Sequence, residues 1–344
     1  MSDTADWYVR AAGELAATSE LQVAWARQVA ASPELVELID RLPREHRQPS
    51  LLFSVASWLG APATVGATWR DWLIENWPAV EDAARTRRTQ TNEVGRCVPL
   101  LLALDRIPGP IALLELGAAA GLCLGVDRYS YRFDDGLVLG DGLPLLTVTT
   151  TGVGAVPARM PDIVWRRGVD LAPLDLTDPA DVGWLRALLP PDRPERRARL
   201  DAAIVTIGAA GLGAGGPVVV AGDALAALPA LIAAARAEAP GATPVIAALG
   251  TLVYLSREER QGVVDAAIRL GARLVTFEGA GVLPEVADRL DGMSAPHPTP
   301  FVLALDGEPI AHAGPHGDRV SWLSDSHRSG RSAAGQPELS GGGT

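Results

Sequence analysis

Residues 111–127 read IALLELGAAAGLCLGVD, and the reading of the whole chain turns on them. An apolar run, Ile111 to Leu116, stops at Gly117, and small residues continue to Gly121. Leu122, Leu124, Val126 and Tyr129 then recur at a spacing that lines a helix. The pattern predicts a strand, a tight turn and a helix. Such a turn sets backbone N–H groups and the positive end of a helix at the carboxyl edge of a sheet, where polar or anionic ligand groups bind. Glu115 is an acid inside an otherwise apolar strand, and burying a carboxylate is costly without hydrogen bonds or a cation. It is therefore expected to face a ligand or the turn's own amides.

Two cofactor readings compete at this turn. A dinucleotide fingerprint needs G-x-G-x-x-G, whose second glycine lets the pyrophosphate approach the backbone. Here Ala119 stands at that position, and the spacing is Glu115-x-Gly117-x-x-x-Gly121. The pattern E-x-G-x-x-x-G resembles motif I of the class I S-adenosylmethionine methyltransferases, whose cofactor carries no pyrophosphate. An ordinary strand-turn-helix of an α/β protein is the plain alternative.

Further strands follow at α/β spacing. Ile163 to Val169 predicts a second core strand, ending in Gly168-Val169-Asp170-Leu171-Ala172-Pro173. That ending resembles the G-V-D-L-x-P of methyltransferases, which implies a ribose-binding carboxylate at Asp170; an ionised carboxyl accepts both hydrogen bonds of a vicinal diol. An Asp capping the following loop is the simpler reading. Helices are expected at about 179–189 and 193–207, the second with a charge run, Glu195 to Arg199, read as a solvated face. Pro217 to Ala221 is expected to be a buried parallel strand ending in Gly222-Asp223-Ala224, which resembles the third-strand motif of the same enzymes and implies adenine contacts there. Pro244 to Leu249 is the fourth strand, followed by Tyr254 and by a capping box at Ser256 to Glu259. Ala272 to Phe277 is the fifth, tipped by Glu278, and Asp306-Gly307 joins two apolar runs as a hairpin.

Before this region, residues 1–105 read as helical and hold most of the tryptophans, which are expected to pack helices together. Ser32-Pro33-Glu34 suits a cap and first turn. Thr89, Asn92, Glu93 and Arg96 would share one helical face just before the first strand. That face either closes the cofactor pocket or is a solvated start with a Glu93 to Arg96 pair. The expected organisation is a helical region at 1–105, a Rossmann-like domain at 106–323 with a hairpin insertion at about 131–160, and a Ser/Gly-rich tail at 324–344 read as disordered.

Composition narrows the classes. All 30 basic residues are arginine, so a catalytic lysine is excluded. A net charge of −11 disfavours a nonspecific nucleic-acid binder, which needs a basic footprint. Two cysteines, Cys97 and Cys123, form no zinc spacing and no disulfide framework, and the five histidines form no metal-ligand set. The apolar stretch 202–235 is broken by Gly208 to Gly216, Pro217 and Pro229 into pieces too short to span a membrane. The expectation is a cytoplasmic protein with no metal, no membrane segment and a small-molecule substrate; nothing in the sequence sets an oligomeric state.

Taken together, Arg47-Gln48-Pro49, T-Q-T-N-E-V-G-R at Thr89 to Arg96, E-L-G-A-A-A-G-L at Glu115 to Leu122, Asp127-Arg128-Tyr129, W-R-R-G-V-D-L-A-P-L-D at Trp165 to Asp175, and G-D-A resemble the bacterial domain of unknown function 2332 over roughly residues 10–325. That family brings no established reaction. The sequence departs from its pattern at Ala119, Cys123 and Ala248, where serine, asparagine and histidine are usual; the last change removes a general-base candidate. The element order resembles the seven-stranded sheet of class I methyltransferases. This implies an S-adenosylmethionine site at Glu115, Gly117, Ala119, Gly121, Asp170, Gly222, Asp223 and Ala224, with the acids at three strand tips facing one crevice. Candidate catalytic groups are Asn92, Glu93, Tyr254 and Glu278. Three functions are open: methyl transfer to a small molecule, a non-catalytic binding or regulatory role, and NAD-dependent oxidoreduction.

Overall fold

The structure is a computed structural model and describes residues 3–90, 93–209, 218–290 and 301–323. Asn92, proposed above as a catalytic residue, lies outside them, as do Thr91 and the tail. Six helices open the chain: α1 (Asp3–Leu15), α2 (Glu20–Ala31), α3 (Pro33–Ile39), α4 (Pro49–Trp58), α5 (Ala67–Glu75) and α6 (Trp77–Thr86). Ser19 and Ser32 accept amides of the first turns of α2 and α3, and Pro33 takes the first helical position, where its missing N–H is not needed. Trp25 stacks on Trp69 with centroids 5.0 Å apart, Phe53 packs edge-on to Trp69 and tilted against Trp25, and Tyr8 packs edge-on to Phe53. These aromatics do bind helices together, as the sequence suggested.

The next helix, α7 (Cys97–Leu104), is buried on every side and packs into the core of the sheet domain instead. The helical unit therefore ends near residue 86 rather than 105. The polar run before α7 is not helical: residues 87–90 are irregular, and Val94–Arg96 is one 3-10 turn.

The sheet strands, in chain order, are β1 (Ile111–Leu116), β2 (Ser130–Arg132), β3 (Val138–Leu139), β4 (Leu145–Thr147), β5 (Thr149–Thr151), β6 (Ile163–Asp170), β7 (Val218–Ala221), β8 (Thr243–Leu249), β9 (Arg273–Gly279), β10 (Phe301–Leu305), β11 (Glu308–Ala313) and β12 (Arg319–Trp322). The helices among them are α8 (Pro179–Ala187), α9 (Pro194–Ala209), α10 (Ala224–Glu238), α11 (Arg257–Arg269) and α12 (Pro284–Arg289). Among the described residues the main sheet has nine strands, in the order β5-β12-β11-β10-β9-β8-β1-β6-β7, not the seven expected. Its parallel part is β7-β6-β1-β8-β9, and β10, β11 and β12 continue it as an antiparallel meander.

Two strands account for the difference. Arg319–Trp322 pairs with β11, and Thr149–Thr151 then pairs in parallel with β12. The insertion is thus not a separate hairpin: β2, β3 and β4 form a small three-stranded sheet, and β5 returns to the edge of the large one. The hairpin at Asp306-Gly307 forms as expected, with both residues at positive φ, 53° and 78°, the mirror-image turn that suits strand twist.

No α-helix follows the glycine turn. Cys123–Arg128 is a short 3-10 segment. Its carbonyls are taken by side chains: the Tyr129 hydroxyl donates to Leu122 O at 2.8 Å, the Tyr131 hydroxyl to Val126 O at 2.6 Å, and Arg166 Nη1 to Leu124 O at 3.0 Å. Leu122, Leu124, Val126 and Tyr129 are nevertheless all buried, so the apolar spacing marked a core segment without marking its helix type. Among the described residues no helix is long and apolar enough to cross a membrane.

Candidate functional site

The strand order reverses between β1 and β8, the topological switch at which open α/β sheets bind ligands. β1 leaves the sheet there through Gly117, Ala119 and Gly121, at φ 65°, 47° and 73°. The left-handed region suits glycine and strains alanine, so Ala119 needs holding in place. Its amide donates to Asp170 Oδ2 at 2.9 Å. Gly117 N and Ala118 N both donate to Val169 O, and Gly121 N to Ala118 O. Thr251, just past β8, donates its hydroxyl to Leu116 O at 2.9 Å, and a Cβ on Gly117 would lie 2.6 Å from its side chain. The turn is closed on itself, and it presents neither a helix N-terminus nor these amides to a ligand. That corrects the electrostatic expectation drawn from the sequence.

The three strand-tip acids have separate environments. Asp170, besides Ala119, accepts from Ala172 N at 2.9 Å and from Gln90 Nε2 at 3.1 Å. Asp223 is exposed and caps α10, accepting from Ala226 N at 2.8 Å; Gly222 N donates to Asp170 O, and Ala224 opens the helix. Glu115 is buried, with Oε2 unpartnered. Burial, then the neighbouring Cys123 and Asp170, push its carboxyl well above the usual range, against the pull of Arg96.

Arg96 is buried between two such acids. It donates to Leu249 O and to Pro315 O, and lies over the Phe301 ring at 5.5 Å. Glu278 Oε1 accepts from Thr251 N at 2.7 Å and Leu252 N at 2.8 Å, while Oε2 has no partner. Burial raises Glu278 to about 7, against these amides and Arg96. It therefore holds the loop that follows β8.

A cleft of about 100 Å³, open to solvent, lies between the helical region and this edge of the sheet domain. Ser54, Gln90, Glu93, Leu188, Arg196 and Tyr254 line it. None of Glu115, Asp170, Asp223 or Glu278 does, so the expected convergence of strand-tip acids on one hollow is not found there. Glu93 and Tyr254, two of the catalytic candidates, are on its wall, and Tyr254 is exposed.

Glu93 is 4 % exposed and pairs with Arg196, not with Arg96. Arg196 Nη2 and Nε reach Oε2 at 2.6 and 2.9 Å, Arg199 Nη2 lies 3.7 Å from Oε1, and Gly95 N donates to Oε1 at 3.1 Å. Burial works against its charge, yet Arg196, His316 and Arg199 together keep the carboxyl below its ordinary range. His316, 3.5 Å away, is pushed down to about 4 by burial and then by Arg196, so it is neutral. The charge run of α9 is therefore not simply a solvated face. The available signal was the i, i+3 spacing of Arg196 and Arg199, which sets both on one side of the helix.

Among curated proteins, none matches the chain. The profile of a family described as an uncharacterized protein conserved in bacteria matches residues 5–322. The chain belongs to that family, domain of unknown function 2332.

Proposed function

We propose that the chain is an S-adenosylmethionine-dependent methyltransferase acting on a small molecule. The observation that carries this reading is the junction of β1, β6 and β8: a glycine turn at the topological switch, with Asp170 on the adjacent strand tip hydrogen-bonded to it. The state of the turn favours a cofactor without phosphates. The amides of Gly117, Ala118, Ala119 and Gly121 are already engaged and no α-helix N-terminus follows the turn, which counts against a pyrophosphate there and so against the NAD-dependent alternative.

A sulfonium nucleoside suits the residues present at two points. Asp170 has an acceptor site left, since an ionised carboxylate offers about four and three are used. Glu115 Oε2 is a buried polar atom beside the turn with no partner among the described residues, and burial favours its neutral, protonated form, which can still hydrogen-bond a ligand. When bound, the cofactor supplies an electrophilic methyl group, for which alignment supplies most of the acceleration. Glu93 is locked by its arginines and is a weak base, so the cleft suits an acceptor that needs little proton removal. The non-catalytic alternative is favoured by one arrangement: Asp223 is committed to capping α10 and Thr251 packs on Gly117.

Thermal unfolding with S-adenosylmethionine, S-adenosylhomocysteine and NAD tests the reading. The first two should stabilise by about 2.7 kcal/mol at a hundredfold excess over Kd, and NAD should not. Asp170→Asn should weaken the effect. No response to either adenosyl compound at large excess rejects the proposal. Turnover of labelled S-adenosylmethionine with cell extract then separates an enzyme from a binding protein.

A further inference from the structure

An ion cluster that reaches the cleft wall has a charge opposite to that of the chain. Glu93 and Arg196 line the cleft, while Arg199 and His316 lie outside the lining and meet Glu93 at 3.7 and 3.5 Å; with His316 neutral, two arginines face one acid and the cluster holds one positive charge in excess. The whole chain carries −11. Glu93 does not satisfy both cations: Arg196 takes the short contacts, and Arg199 Nε is buried with no acceptor among the described residues. Asp170, which accepts from Gln90 Nε2, is not itself among the cleft-lining residues.

Around this cationic end the wall is of two kinds. Ser50, Ser54, Thr89 and Gln90 bring hydroxyl and amide groups from α4 and the segment before α7. Leu185, Leu188 and Leu189 bring an apolar side from α8 and its C-terminal end. Guanidinium and hydroxyl donors beside a leucine wall match a carboxylate carried on a short apolar body, because a charged acceptor strengthens each hydrogen bond and the leucines shed water. A cation would instead meet the surplus positive charge.

We infer that the cleft binds a small amphipathic carboxylate, its anionic group anchored at Arg196 and its apolar part against Leu185, Leu188 and Leu189. This deepens the acceptor half of the methyl-transfer reading and rests on it for the ligand's role as substrate, while the binding itself depends only on the cleft.

The test titrates the full chain by calorimetry with hexanoate, 1-hexanol and hexylamine, which share one body and differ in charge. Hexanoate is expected to bind at least tenfold more tightly than the other two. Leu188→Trp fills the apolar side without touching the ion pair and should weaken hexanoate at least tenfold. Arg199→Gln, which removes the surplus charge and leaves the Glu93–Arg196 pair intact, should abolish the preference for hexanoate over hexanol. Equal or tighter binding of hexylamine, no binding of hexanoate, or an unchanged hexanoate affinity in Leu188→Trp would overturn the inference. Hexanoate binding without any response to S-adenosylmethionine would keep this inference and remove methyl transfer; the reverse result would do the opposite.

Discussion

Asp170 Oδ2 accepts the amide of Ala119 across the tips of two neighbouring strands, at 2.9 Å, and so holds a non-glycine residue at φ 47°. Asp170→Ala would strand that buried amide, whereas Ala172 N is left to solvent and Gln90 Nε2 keeps its bond to Ala172 O. A loss of about 1–3 kcal/mol is expected, the scale for an unsatisfied polar group, and urea unfolding would measure it. An unchanged midpoint would mean that the turn holds its shape unaided.

Gly117 and Thr251 should behave as a coupled pair. Gly117→Ala combines a left-handed backbone at φ 65° with a methyl 2.6 Å from the Thr251 side chain, for a cost of about 2–5 kcal/mol. In a Thr251→Ala background only the backbone part should remain, about 1–2 kcal/mol. A double-mutant cycle reads the difference. Strict additivity would show that the two side chains do not compete for the same space.

Arg166 and Asp127 form a two-pronged ion pair at 2.7 and 2.9 Å, and Arg166 also donates to the carbonyls of Leu124 and Ile163. Arg166→Met alone should destabilise by about 1–3 kcal/mol, because it leaves the Leu124 and Ile163 carbonyls without their donor and Asp127 with only the exposed Arg128 at 3.6 Å. Adding Asp127→Asn should recover part of that loss. Denaturant titration of the three variants checks this, and a double variant no better than the single would refute it.

Glu278 and His316 should pull stability in opposite directions with pH. Glu278 sits at about 7, above its ordinary value, so the folded state binds more protons than the unfolded; its contribution is full below about 4.5 and is lost as pH rises to about 7. His316 sits at about 4, below its ordinary value, so its contribution is full above about 6.5 and is lost as pH falls toward 4. Each is of order 3 kcal/mol across its window. The stability difference between wild type and Glu278→Gln should therefore shrink between pH 4.5 and 7, and that for His316→Gln should grow. Unfolding curves at intervals across pH 4–8 would show parallel lines if either assignment is wrong.

Much of the sheet was legible because its cues are local. The apolar runs at Ile163, Val218, Pro244 and Ala272 all fall on strands, and Ser256 with Glu259 forms the expected reciprocal cap. Long-range choices were less visible. Thr149–Thr151 has too few residues and too little hydrophobicity to announce that it completes the edge beside β12. The segment after Gly121 has helical spacing, but Tyr129, Tyr131 and Arg166 take its carbonyls, and one of those donors, Arg166, lies outside any local window. At the site, Glu93 and Tyr254 were picked out by position, whereas Arg196 was not, because its partner is 103 residues away.

One helix belongs to both cores. Trp184 of α8 is fully enclosed in the aromatic cluster of the helical region, edge-on to Trp58, with the Arg87 guanidinium over both rings. Its neighbour Leu185 is buried in the sheet core and also walls the cleft. Swinging the front end away would drag α8 out of one of its two seats, so the two cores are expected to move as one body rather than about a hinge.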